Sequence, residues 1–87
     1  MEASEIDKEL EELETRIEQL RGHYEQYFMG LEKVEPQPQR KEVDRRIKVL
    51  RKVQLRNKAQ RFKFNTLVQR INTMSQFWGR VVREIEN

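Results

Sequence analysis

The residue types that most often bind transition metals are almost absent from this sequence. His23 is the only histidine and cysteine is absent, so the usual nitrogen and sulfur ligand sets of zinc cannot be completed. A P-loop, a glycine-rich dinucleotide loop and a metalloprotease motif are also missing. We therefore predict a protein that is not an enzyme, uses no cofactor and binds no metal, with His23 on a helix surface.

Charge is the strongest chemical signal in the chain, and it is divided unevenly. Residues 1–35 contain four basic and eleven acidic residues, whereas residues 36–87 contain fourteen basic and four acidic ones. Two explanations are open: the two halves pair with each other, or the basic half binds a polyanion such as nucleic acid. The cations placed to contact a polyanion are Arg45, Arg46, Lys48, Arg51, Lys52 and Arg56.

The acidic half has the pattern of an amphipathic helix. Apolar residues recur at alternating spacings of four and three, which is the heptad repeat of a coiled coil. Ser4 is a favourable N-cap, and Pro36 and Pro38 would stop the helix because proline lacks an amide donor. The sequence predicts a helix over residues 4–35 and a turn over 36–39. The seam residues are Ile6, Leu10, Leu13, Ile17, Leu20, Tyr24, Tyr27, Leu31 and Val34.

The basic half continues the same pattern over a longer stretch. It contains no proline after Pro38 and no glycine before Gly79, which favours one continuous helix over residues 40–86. Asn57 and Gln60 would form a polar layer that fixes the register of the seam. The alternative is a turn at residues 56–58 between two shorter helices.

A short connection makes the second helix an antiparallel neighbour of the first. The fold class is therefore predicted to be all-α, a coiled-coil-like antiparallel helical hairpin forming a single domain over residues 1–87. The acidic helix would lie along the basic one, so self-pairing explains much of the charge asymmetry.

The second helix of this hairpin would extend beyond the first and expose its apolar end. Large exposed apolar patches mark interfaces, so we predict a homodimer in which two hairpins form a four-helix bundle. The alternative is a break near Asn57 that folds the last helix back as the third helix of a monomeric bundle. The predicted interface residues are Phe64, Leu67, Ile71, Met74, Phe77, Trp78, Val81, Val82 and Ile85.

The location of the protein is predicted from absent signals. No stretch is apolar enough to span a membrane, and the acidic N-terminus is unlike a secretion signal. We expect a cytoplasmic protein that does not bind membranes. The chain ends without a clear helix stop, which is compatible with a longer parent protein.

Two blocks carry a family resemblance. Residues 24–33, YEQYFMGLEK, and residues 61–67, RFKFNTL, together with Trp78 and residues 83–86, resemble a family of uncharacterised bacterial helical proteins. This resemblance implies a bacterial origin and brings no activity or ligand. The function predicted overall is a helical oligomerisation or scaffolding module that binds itself or another protein, and the alternative is a basic helical nucleic-acid-binding protein.

Overall fold

The computed structural model describes residues 1–86 and contains three α-helices. They are α1, Ala3–Phe28, α2, Gln37–Lys52, and α3, Lys58–Glu86. The all-helical prediction is confirmed. The prediction of one continuous helix over residues 40–86 is wrong, because residues 53–57 separate α2 from α3.

Helix α1 forms where the heptad pattern predicted it, but it ends earlier. Its buried residues are all members of the predicted seam, namely Ile6, Leu10, Leu13, Ile17, Leu20 and Tyr24. The helix ends because Gly30 adopts a left-handed φ of 81°. The amide of Leu31 donates to the carbonyl of Gln26, and that of Gly30 donates to Tyr27, which together form a Schellman motif. The two prolines therefore do not stop α1.

Pro36 and Pro38 instead mark the start of α2. Pro36 is its N-cap and Pro38 lies in the first turn, where a missing amide hydrogen costs nothing and the fixed φ suits a helix. The buried face of α2 consists of Val43, Ile47 and Leu50. The helix ends at Lys52, and the backbone of the C-cap residue Val53 is extended.

The break between α2 and α3 is stabilised by Asn57. Its side-chain oxygen accepts a hydrogen bond of 3.1 Å from the backbone amide of Gln60, so Asn57 is the N-cap of α3. A side chain that satisfies the free amides of a helix start favours a new helix at this point, without glycine or proline. The predicted polar layer in a continuous seam is therefore replaced by a helix cap.

Contacts between side chains give the directions of the helices. The side-chain amide of buried Gln60 donates to the carbonyl of Ala3 and to Asp7, whereas Trp78 lies against Tyr24. Helices α1 and α3 thus run in the same direction. Along α2 the order is reversed, since Arg46 reaches Glu9 of α1 while Arg40, nearer the start of α2, lies beside Trp78. The bundle measures 45 × 18 × 17 Å.

Helix α1 is the one that holds the bundle together. It packs along both α2 and α3, which touch each other far less. The core therefore contains residues from all three helices, including Leu13, Leu50 and Leu67. The structure therefore agrees with the alternative in which a break near Asn57 folds the last helix back against the first.

Candidate interaction surfaces

Most of the predicted dimer interface lies inside the protein. Five of the nine predicted residues are buried within the chain, and Trp78 is only 3% exposed. The premise that the end of the basic half has no intramolecular partner is wrong, because the break at residues 53–57 returns α3 to α1. The buried five are Phe64, Leu67, Ile71, Trp78 and Val82. Met74 and Val81 are half-buried, and Phe77 and Ile85 are exposed.

An aromatic cluster explains why Trp78 is buried. The rings of Tyr24 and Trp78 are stacked, and the guanidinium of Arg40 lies 5.9 Å from the centre of the indole. The hydroxyl of Tyr24 donates a hydrogen bond of 2.6 Å to Glu35. Burial, followed by this hydrogen bond, raises the pKa of Tyr24 to about 12. The cluster joins all three helices and the connection between α1 and α2.

Exposed apolar side chains collect at the end of the bundle where α1 and α3 both finish. We name this set the apolar end surface: Met29, Leu31, Val34, Phe77 and Ile85, each at least half exposed. Within this surface, the ring of Phe77 lies edge-on to the ring of Phe28, with the ring centres 6.3 Å apart. Sequence reasoning missed the three loop residues, because it placed Leu31 and Val34 in a helical seam. Gly30 was the signal that could have found them.

The predicted polyanion-binding residues fall into two groups. Arg45 and Arg46 are held by Glu42, at 2.8 Å and 3.0 Å respectively. A hydrogen bond from Arg45, together with the charges of both arginines, lowers the pKa of Glu42 to about 2. Arg46 also reaches Glu9 of α1 at 3.5 Å and has a side chain that is only 17% exposed. Both cations are therefore engaged within the protein.

The other four predicted cations lie at the surface. Lys48, Arg51, Lys52 and Arg56 are exposed, and within residues 1–86 none of them forms an ion pair. Lys52 and Arg56 border a cleft of about 610 Å³ at the end of the bundle that contains the α2–α3 connection. Lys48 and Arg51 border a different pocket, together with residues of α3. The structure thus divides these cations between two places.

Lys48 and Arg51 border a shallow groove between α2 and α3, which we name the α2/α3 groove. Its volume is about 260 Å³. Ile47 and Ile71 form its floor with half-buried Val68, and Asn72 and Ser75 form the α3 wall. This groove cannot be predicted from the sequence pattern, because it exists only once α3 has folded back beside α2.

Ion pairs between helices explain part of the charge division. Glu14 of α1 lies 3.4 Å from Lys63, and Glu18 lies 3.5 Å from Arg70 of α3. With the Glu9–Arg46 contact, these pairs flank the apolar seam of α1 on both sides. The acidic helix thus lies along both basic helices, but α3 runs parallel to it, whereas the prediction made the whole basic half its antiparallel neighbour.

Titratable groups elsewhere do not converge on a common site. His23 is half-buried and borders a small cleft with Pro38 and Gln39. In the part of the chain that the structure describes, no three His, Cys, Asp or Glu side chains are placed to share a metal ion. None of the helices over residues 1–86 has an apolar stretch long enough to cross a bilayer.

Comparison with known proteins leaves the family of this chain open. No protein-family model matches it, and neither a curated protein nor a solved structure shows significant similarity to it. The resemblance to bacterial helical proteins stays a prediction.

Proposed function

We propose that this protein is a non-catalytic helical oligomerisation module that associates with a second copy of itself through the apolar end surface. The observation that carries this proposal is the exposure of Leu31, Val34 and Phe77, which are 71%, 77% and 55% accessible. Apolar side chains clustered at one end of a small domain favour association, because burying them removes apolar area from water.

The last two turns of α3 support a second copy as the occupant. Phe77, Val81 and Ile85 are spaced four residues apart and so lie on one side of the helix. In an antiparallel two-fold pairing centred near Val81, Phe77 of each copy would lie opposite Ile85 of the other. Arg80 would then lie beside the second copy's Glu84, so the flanking charges are self-complementary.

The experiment is analytical ultracentrifugation over a concentration series from low micromolar to submillimolar. The wild type is expected to approach the mass of a dimer, and the double variant F77D/I85D is expected to remain a monomer with unchanged helical circular dichroism. Phe62 supplies a matched control, since it is 74% exposed on the same helix but far from the apolar end surface. F62D should dimerise like the wild type. A wild type that stays monomeric throughout the series would refute the proposal.

Nucleic-acid binding is the second candidate function. The observation in its favour is the set of four exposed cations, Lys48, Arg51, Lys52 and Arg56. Phosphate contacts weaken steeply with salt, so binding to a DNA duplex should be measured at low salt and repeated at physiological salt. The absence of retention at low salt would remove this candidate.

A further inference from the structure

Two neighbouring helices of a bundle leave two long grooves between them, one on each side of the pair. In this protein α1 fills one side of the α2–α3 pair, since it packs along both helices while they touch each other little. The other side is the α2/α3 groove, which is lined by residues of α2 and α3 alone. Val68 is half-buried there, whereas Ile47 and Ile71 are 7% and 3% exposed and lie beneath the wall side chains. The bundle therefore has a vacant side where a four-helix bundle would have its fourth helix.

Helix α1 shows what kind of helix the α2–α3 pair accepts. Its apolar seam is buried, and carboxylates beside the seam pair with cations of both neighbours, as in Glu9–Arg46 and Glu18–Arg70. An acidic amphipathic helix thus satisfies both the apolar and the charged parts of these two helices.

The α2/α3 groove repeats this chemistry on the vacant side. Its floor is apolar, and its α2 wall carries Arg40, Lys48 and Arg51 against the single carboxylate of Asp44. The α3 wall is neutral, with Asn72 and Ser75. Short uncharged side chains let a helix approach closely, and a row of cations on one side selects acidic residues on the partner.

We propose that the α2/α3 groove binds an acidic amphipathic helix of another protein as the fourth helix of the bundle. A second copy is a poor occupant, because the apolar seam of its own acidic helix is already buried, with Leu10 and Leu13 at most 1% exposed. Nucleic acid is less suited, since the groove presents cations on its α2 wall alone and its α3 wall offers only Asn72 and Ser75 to phosphates. This inference does not depend on the apolar end surface, which lies at one end of the bundle.

The probe for this inference is a fluorescein-labelled synthetic peptide with the sequence of residues 3–28, whose binding is followed by fluorescence anisotropy. Its control is a peptide of the same composition in which the apolar seam is dispersed. The double variant K48E/R51E reverses two charges of the groove and is expected to weaken binding about tenfold or more. K41E/K52E makes the same change in net charge at exposed positions outside the groove lining, and should bind within about threefold of the wild type.

The outcomes separate the groove from other binding sites. Binding of the peptide, its loss in K48E/R51E and its retention in K41E/K52E support the proposal. Equal weakening in both variants, equal binding of the dispersed peptide, or no binding would overturn it. Binding unaffected by K48E/R51E would show that the peptide displaces α1, which also overturns it. A labelled DNA duplex that binds more tightly than the peptide, with the same loss in K48E/R51E, would assign the groove to nucleic acid.

Failure here is distinguishable from failure of the proposed self-association. The mass of K48E/R51E in the ultracentrifuge should equal that of the wild type, because Lys48 and Arg51 lie outside the apolar end surface. Conversely, F77D/I85D should bind the peptide as the wild type does.

Discussion

The rings of Tyr24 and Trp78 lie face to face, with their centres 4.1 Å apart and their planes 9° from parallel. Tyr24 belongs to α1 and Trp78 to α3, so this stack joins the two parallel helices near the end of the bundle. The carboxylate of Glu35 accepts a hydrogen bond from the Tyr24 hydroxyl, and the guanidinium of Arg40 lies beside the indole of Trp78. The stack is therefore the place where the α1–α2 connection and all three helices meet.

Replacing Trp78 with alanine should be among the most damaging single changes in this protein. The side chain is 3% exposed, and truncating a buried tryptophan to alanine typically costs about 3 to 5 kcal/mol through lost transfer energy and a residual cavity. Urea denaturation followed by circular dichroism measures the free energy of unfolding. Trp78→Phe should lose less, since it keeps an aromatic ring against Tyr24.

The same experiment distinguishes the three-helix bundle from the hairpin predicted from sequence. In the hairpin Trp78 is exposed, so even a charged residue there would leave helicity intact. In the bundle W78D should unfold the chain. A W78A variant within about 1 kcal/mol of the wild type would contradict the buried position of this residue.

The hydroxyl of Tyr24 should make stability depend on pH in the alkaline range. Tyr24→Phe removes the hydrogen bond to the Glu35 carboxylate and should cost roughly 1.5 kcal/mol or more at neutral pH. Because the pKa of Tyr24 in the folded state is raised to about 12, the folded form holds its proton more tightly than the unfolded form. The stability that this proton contributes is complete below the ordinary tyrosine pKa of about 10 and is lost as the pH rises through about 12.

The control for this prediction is the difference between the two proteins at each pH. Every other titratable group is shared by the two proteins, so its contribution largely cancels when the unfolding free energy of Y24F is subtracted from that of the wild type. The difference should be constant from pH 7 to about pH 9 and shrink above about pH 10. A difference that stays constant to pH 12 would show that the Tyr24 pKa is not raised.

How far the sequence predicted this fold depends on how local each signal is. The heptad pattern predicts every buried residue of α1 from Ile6 to Tyr24. Helical periodicity can be read from neighbouring residues alone, and the apolar face that it defines is the face that becomes buried. The sequence also predicts that acidic and basic helices pair, since opposite charges beside two apolar seams attract whether the helices run parallel or antiparallel. Glu14–Lys63 and Glu18–Arg70 are examples.

The break between α2 and α3 could not be derived in the same way. Residues 53–57 lack glycine and proline, and Asn57 fits a helix cap as well as a buried seam position. The choice is made by tertiary packing, because folding back at Asn57 buries Trp78, Ile71 and Leu67 against α1. The candidate surfaces were missed for the same reason: the α2/α3 groove and the apolar end surface follow from this choice.

Asn57 gives a direct test of the break. Asn57→Ala removes the acceptor for the backbone amide of Gln60 and should destabilise the protein by about 1 kcal/mol, the usual cost of losing an N-cap. Asn57→Asp keeps an acceptor oxygen and places a negative charge at the positive end of the α3 dipole, so it should be at least as stable as the wild type. Urea denaturation measures both. If N57A matched or exceeded the wild type in stability, a continuous helix through this position would be favoured.

Gly30 and Gly22 should respond to alanine with opposite signs. Gly30 has a φ of 81° in the motif that ends α1, and a Cβ there would meet no atom within 4 Å, so any cost comes from the backbone alone. A non-glycine residue in this conformation costs roughly 1 to 2 kcal/mol, and Gly30→Ala should destabilise by about that amount.

Gly22 lies inside α1, and a Cβ there would also meet open space. Alanine is favoured over glycine in a helix interior by about 0.5 to 1 kcal/mol, so Gly22→Ala should stabilise the protein. Both variants are compared with the wild type by thermal and urea denaturation. If α1 instead continued through Gly30 to residue 35, both alanines would lie inside a helix and both would stabilise, so a stabilising G30A would show that the helix does not end at Phe28.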